Sequence, residues 1–303
     1  MPATDAGHMG PRTQVRARRS WTVLPSRVSS VTESPAIHAT EVGDRGPRVI
    51  FLHGLFGQGR NFTQIAKALV PELRSVLVDL PNHGRSGWIE TTDYEVVADV
   101  VATWLRTTYD GEPPSHVVGH SMGGKVAMVL ALRHPDLVDR LVVADISPSS
   151  SEGAGEFEHL LDSLAGLDLA ALTRRSDADE QLAQAIRSPA VRGFLLQNLR
   201  SVPAEQQSGQ GAGFTWQANL ALLRDQLDVI GGWPEIEPVD GPFDHPVLWL
   251  AGEKSDYVRP EHEPAMRALF PRTRLATIKG AGHWVHSEQP ESFVSALRVF
   301  LLV

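Results

Sequence analysis

The strongest constraint on this chain is an alternation: short, continuous apolar runs recur, and most are separated by a stretch with helical spacing. "RVIFLHG" from Arg48, "RSVLVDLP" from Arg74, "SHVVGH" from Ser115, "RLVVADIS" from Arg140, "HPVLWLAG" from His245 and "RLATIKG" from Arg274 read as strands buried on both faces. Between and after them, helical patterns fall near residues 62–70, 94–107, 122–134, 261–270 and 290–302. The second is preceded by the cap candidates Thr92 and Asp93, and the third is closed by Pro135. Strands that alternate with helices imply a doubly wound, mainly parallel sheet, an α/β fold. "PAIHATEVG" (Pro35 to Gly43) fits an early edge strand paired antiparallel to that sheet.

One interval breaks the pattern. Residues 148–244 carry helical patterns at 157–172, 179–187, 191–199 and 220–230 and a Gly-rich loop, "SGQGAGF", with no strands expected between the helices. This is the signature of a helical cap inserted after one strand and lying over the carboxyl edge of the sheet, where open α/β sheets bind ligands. The expected organisation is a mobile basic arm over 1–34, a core formed by 35–147 and 245–303, and the cap over 148–244. The arm holds Arg12, Arg16, Arg18, Arg19 and Arg27 against Asp5. Arg18-Arg19 faintly resembles a twin-arginine signal, but no apolar h-region follows, and "GHM" at Gly7 to Met9 equally fits a cloning remnant.

Composition removes several function classes. A net charge of −8 argues against nucleic acid as a partner. The absence of cysteine excludes disulfides, thiolate nucleophiles and zinc-thiolate sites. No apolar run approaches the roughly 18 residues that span a bilayer, so a soluble protein is expected, with the cytoplasm as default. The 12 histidines form no His-Glu-x-x-His or comparable ligand set, and Gly57-x-Gly59 is followed by Phe62 where a dinucleotide loop needs glycine. Neither a metal nor a cofactor is expected.

What remains is nucleophile chemistry. "VVGHSMGGK" places Gly119-His120-Ser121-Met122-Gly123 between a strand and a helix, where flanking glycines permit a sharp turn and Ser121 stands at a helix N-terminus. A serine hydroxyl needs a base. "GAGHWVHSEQP" offers His283 in a Gly-flanked loop after the last strand, and His286, which is closer to the final helix and expected as an outer-layer or surface residue. The oxyanion needs two N–H donors, for which the amides of Met122 and Leu55 are the candidates, with Phe56 as the neighbour of Leu55. The Phe56 side chain lines an acyl pocket or packs in the core.

With these residues in view the chain resembles a capped α/β-hydrolase. It is most similar to small esterases carrying "HGLFG" (His53 to Gly57), "NHGRS" (Asn82 to Ser86), "GHSMGGK" (Gly119 to Lys125) and "GAGHWVH" (Gly280 to His286), a group that includes bacterial acyl esterases and mitochondrial α/β-hydrolase-domain proteins. "FTWQANL" and "GGWPEIE" extend the likeness, which covers roughly 49–302. Many α/β-hydrolases carry the acid third after the Gly that ends the next-to-last strand. Here that position is Ser255, with Asp256 one residue out of place. The resembling group draws its acid from the preceding sheet strand, which points to Asp145 in "VVADIS". Asp256 stays as the alternative acid, an Asx-type turn as the alternative role for Asp145, and Ser255 as a hydrogen-bond partner of acid or base.

The expected activity is therefore hydrolysis of short- to medium-chain carboxylic esters, thioesters included, through an acyl-enzyme. The partner is a small-molecule ester. Phe56, His120, Phe194, Trp216 and Trp284 are the expected substrate contacts, in a pocket without a dedicated charge receptor. Two other readings remain: acyl transfer to an alcohol by the same triad, and a slow-turnover ligand sensor signalling through cap movement. Asp-nucleophile chemistry is disfavoured by Ser121 and by the lack of tyrosines in the cap, since Tyr94, Tyr109 and Tyr257 lie outside it.

Overall fold

In the computed structural model, which describes residues 35–150, 154–203 and 213–303, the apolar runs become one seven-stranded sheet. β1 (Ala39–Val42), β2 (Arg48–Leu52), α1 (Thr63–Ala68), β3 (Arg74–Val78), α2 (Tyr94–Thr108), β4 (Ser115–His120), α3 (Met122–Arg133) and β5 (Val138–Ala144) form its first half. After an insertion, β8 (Val247–Gly252), α9 (Glu263–Leu269), β9 (Thr273–Ile278), α10 (Val285–Glu288) and α11 (Pro290–Leu301) complete it. The strand order is β1-β3-β2-β4-β5-β8-β9, parallel except for β1, which pairs antiparallel with β3 as an edge strand.

Side-chain alternation divides each central strand between two cores. Ile50 and Leu52 of β2 face α2 and α3, whereas Val49 and Phe51 face α1 and α11. Every residue of β2, β4 and β8 is buried, which is why these runs show no polar alternation. α2 begins where the Asp93 carboxylate accepts from the amides of Glu95 and Val96, so Asp93 rather than Thr92 is the cap. Trp249, wholly buried on β8, donates its indole N–H to the Ile146 carbonyl at 2.7 Å and so ties β8 to the chain leaving β5.

The insertion carries α4 (Ala154–Ala165), α5 (Arg175–Leu182), α6 (Pro189–Leu196), β6 (Leu199–Ser201), β7 (Phe214–Trp216), α7 (Leu220–Asp225) and α8 (Leu227–Gly231). Its core includes Leu161, Leu164, Leu195 and Leu223 and takes in Leu55 and Phe56 from the loop after β2. Four details differ from the sequence reading. The helix expected at 157–172 ends at Ala165, and a 3-10 turn at Leu169–Ala171 follows, capped by the Asp168 carboxylate. Leu199 and the residues after it leave the expected helix to pair as β6 with β7, strands too short to show a period. The helix expected at 179–187 starts at Arg175, because the Asp177 carboxylate collects the amides of Thr173 and Arg174. The helix expected at 220–230 divides at Gln226, whose side-chain oxygen accepts the Thr92 amide at 2.6 Å. The arm over 1–34 and most of the "SGQGAGF" loop lie outside the described residues. No helix among the described residues is long and apolar enough to cross a membrane.

Trp249→Phe removes a buried indole and leaves the Ile146 carbonyl unpaired. The expected loss is about 2–4 kcal/mol, read as a lower urea midpoint; an unchanged midpoint would show that this tie contributes nothing.

Candidate active site

Each of the first four parallel strands delivers a loop to the same sheet edge, and one of those loops carries the serine. Ser121, the residue between β4 and α3, has φ 53° and ψ −123°, a conformation that an L-residue holds only when its surroundings enforce it. The enforcement is close packing: a Cβ on Gly123 would lie 2.4 Å from the carbonyl oxygens of both Leu52 and His53. The glycine therefore lets the start of α3 press against the end of β2. The Met122 amide is the first of α3 and has no intrahelical acceptor, and Leu55 lies in the loop that follows β2.

His283 meets Ser121 from the loop after β9, with Nε2 at 2.9 Å from the Ser121 Oγ. Its Nδ1 is 2.8 Å from the Asp145 Oδ2. A carboxylate only accepts, so Nδ1 carries the proton and Nε2 is left free to accept from the hydroxyl. Asp145 is fully buried, with φ 52°, and accepts two further hydrogen bonds: from the Gly252 amide at 2.8 Å and from the Ser255 hydroxyl. A Cβ on Gly252 would sit 2.2 Å from the Gly282 carbonyl, so that glycine allows the end of β8 to lie against the His283 loop. Asp256 is exposed and makes no hydrogen bond to His283. Ser121, His283 and Asp145 are thus brought into one chain of hydrogen bonds, and Asp256 is not.

A family model described as the alpha/beta hydrolase fold matches residues 47–290. The chain belongs to the α/β-hydrolase fold family. It is 38% identical over 261 residues to the sn-1-specific diacylglycerol lipase ABHD11 of Mus musculus, an alignment covering 84% of this chain and 81% of that one. It is 36% identical over 267 residues to a probable alcohol acetyltransferase of Saccharomyces cerevisiae, covering 83% and 77%. Among solved structures, a marine microorganism esterase superposes with a TM-score of 0.81 at 31% identity, covering 88% of this chain and all of that one.

In this α/β-hydrolase two clefts meet at Ser121. One, of about 510 Å³ including volume open to solvent, has walls of Phe56, Phe157, Leu160, Val191, Phe194 and Trp284. The other, of about 430 Å³ on the same measure, is lined by Tyr94, Met122, Lys125, Ile230 and Tyr257. Phe56, Phe194, Trp284 and His120 therefore stand at the serine as the sequence reading expects. Trp216 does not: it sits on β7, packed on the core of the insertion and away from both clefts. The second cleft gives the site a charged group that the sequence reading did not foresee. Lys125 is 1% exposed, its ammonium donates to the carbonyls of Gly231 and Gly232, and burial lowers its pKa to about 8. The Tyr257 ring, also unforeseen, stacks on His283 with centroids 4.1 Å apart.

Around the triad lies a layer of neutral imidazoles, buried at His53, His83 and His120 and half-buried at His286. His120 donates from Nε2 to the His283 carbonyl at 2.8 Å, and its ring meets that of His286 at 4.6 Å. His286 is half-buried at the edge of the first cleft, so it takes the outer-layer position that the sequence reading offered and not the surface one. His53 accepts the Leu80 amide at Nε2 and donates from Nδ1 to the Gly54 carbonyl, joining the "HGLFG" and "NHGRS" loops. Desolvation is the main cause that lowers the pKa of each: His83 to about 3, His286 to about 4, His120 well below its ordinary value, and His53 in the same direction.

These four histidines give stability a sign with pH. They are neutral when folded and protonate near 6.5 when unfolded, so below that pH the unfolded chain binds more protons and unfolding becomes easier. The stability they confer is complete above about pH 6.5 and is lost as pH falls toward about 4 and then 3. Urea titrations are expected to show a midpoint that falls steadily between about pH 7 and about pH 5. A flat profile over that interval contradicts the assignment of these imidazoles as neutral.

Proposed function

We propose that this α/β-hydrolase is a serine carboxylic ester hydrolase acting on short- to medium-chain esters. The observation that carries the reading is the unbroken series Ser121 Oγ, His283 Nε2, His283 Nδ1 and Asp145 Oδ2, with contacts of 2.9 and 2.8 Å. In the proposed reaction His283 takes the hydroxyl proton as Ser121 Oγ bonds to the acyl carbon. The carbonyl electron pair moves onto oxygen, where the amides of Leu55 and Met122 meet the developing charge. Asp145, held by Gly252 and Ser255, keeps the imidazole in the required tautomer and offsets the imidazolium. Collapse breaks the bond to the alkoxy oxygen, which takes the proton from His283 and leaves an acyl-Ser121. Water, deprotonated by the same imidazole, then releases the acid and restores the serine.

Residues 148–244 act in this reading as a cap that walls both clefts. The apolar side chains of the cleft walled by Phe56, Phe157 and Phe194 suit an unbranched acyl or alkoxy chain, and thioesters fall within the same chemistry. The name of the mouse relative adds diacylglycerol to the esters to test. The name of the yeast relative supports a second outcome of the same intermediate, in which an alcohol replaces water and an ester is formed. Added alcohol would then yield a new ester in competition with the free acid.

Initial rates on p-nitrophenyl esters of graded acyl length test the reading. Ser121→Ala is expected to be inert, Asp145→Asn to lose roughly 10⁴-fold in kcat, and Asp256→Asn to stay within about twofold of wild type, as an exposed residue outside the hydrogen-bonded chain should. Loss in Asp256→Asn with activity kept in Asp145→Asn overturns the choice of acid, and a wild type inert on every ester overturns the esterase reading.

A further inference from the structure

The loop after β2 contains a second strained residue. Phe56 has φ 62° and is 1% exposed, and the turn it belongs to closes through the Gly57 amide donating to the Gly54 carbonyl at 2.9 Å. The other end of that peptide unit, the Phe56 carbonyl, accepts two side-chain amides from the inserted segment: Asn198 Nδ2 at 2.8 Å and Gln197 Nε2 at 3.1 Å. One peptide is therefore gripped by the core through its N–H and by the insertion through its oxygen. Leu55, whose amide is the proposed oxyanion donor, immediately precedes Phe56.

We infer that Gln197 and Asn198 are positioning residues that hold the oxyanion turn in shape, so that the donor at Leu55 is set only while the insertion is seated on the core. This rests on the esterase reading above. Positive φ at a bulky L-residue costs about 1–3 kcal/mol and persists only where neighbours over-determine it. Releasing the Phe56 carbonyl lets the Phe56–Gly57 peptide rotate and Phe56 relax to negative φ, which swings the amides before it.

The two residues are themselves fixed. Asn198 is fully buried, accepts from Gln58 Nε2 at 3.2 Å and donates to the Leu195 carbonyl at 3.2 Å. Gln197 accepts from Asn61 Nδ2 at 2.9 Å, and Asn61 Oδ1 accepts the Gln58 amide at 2.7 Å. Four side-chain amides thus interlock across the boundary, two from the core loop and two from the insertion. None of them titrates, so their effect on rate has no pH dependence of its own.

The decisive variants are Asn198→Ala and Gln197→Glu. The second keeps the side-chain length and the acceptor for Asn61 but cannot donate to Phe56, and its half-buried position tolerates the change. Each is expected to lower kcat about tenfold to a hundredfold with KM within about twofold, and Asn198→Ala, which adds no titrating group, to leave the pH profile of kcat unmoved. Inhibition by a trifluoromethyl ketone, which forms a tetrahedral oxyanion on the serine, should weaken by the same factor as kcat/KM. Folded variants with wild-type kcat, or with KM raised and kcat unchanged, overturn the inference while leaving the esterase reading intact. A wild type that neither turns over esters nor binds the ketone overturns both. If Asn198→Ala fails to fold, Gln197→Glu alone decides.

Discussion

Everything at the site depends on backbone strain placed at one edge of a parallel sheet. The four non-glycine residues with positive φ among those described are Phe56, Asn82, Ser121 and Asp145, and they follow β2, β3, β4 and β5 in turn. Each costs about 1–3 kcal/mol in isolation. Fully buried, hydrogen-bonded strands supply the rigid base from which such turns can be held, and parallel pairing collects all four at the same end. The strain is local, whereas what sustains it is the register of the whole sheet.

The contacts that hold the strained residues differ in kind. Ser121 is held sterically, by the tight fit of Gly123 against the end of β2. Asp145 is held by donors, the Gly252 amide and the Ser255 hydroxyl, which also keep a buried carboxylate satisfied. Phe56 is held by neutral amides that reach across from the insertion. The imidazoles of His120 and His286 stay uncharged because desolvation disfavours their protonated form, so they add no positive charge beside His283. In the adjoining cleft the Lys125 ammonium is tied to the last carbonyl of α8 and to that of the residue after it.

How much of this was legible in advance varied from element to element. The core strands could be read because continuous apolar runs follow directly from burial on both faces. Gly119-His120-Ser121-Met122-Gly123 could be read because the turn demands glycines at fixed offsets. The β6–β7 hairpin could not, since three residues show no period, and the break between α7 and α8 falls at Gln226, whose side chain bonds Thr92 134 positions away. Asn198 did leave a trace: it is a polar residue among Leu195, Leu196 and Leu199 in a stretch otherwise patterned for burial. Its partner, the Phe56 carbonyl, is a backbone atom and has no mark in the sequence.

The sequence by itself determined the α/β alternation, the interruption that became the helical insertion, the serine turn and the glycine-flanked histidine. All of these are patterns within a few residues, where dihedral preference and burial period act directly. Only the tertiary structure decided which carboxylate faces His283, that His286 packs half-buried against His120, that Trp216 stands away from the clefts, and that Gln197 and Asn198 grip Phe56. Each of those depends on side chains separated by long stretches of chain, 138 positions for the Asp145–His283 pair and 142 for Asn198 and Phe56. The directions that bring them together are set by sheet register and by the packing of the insertion, which no local pattern encodes.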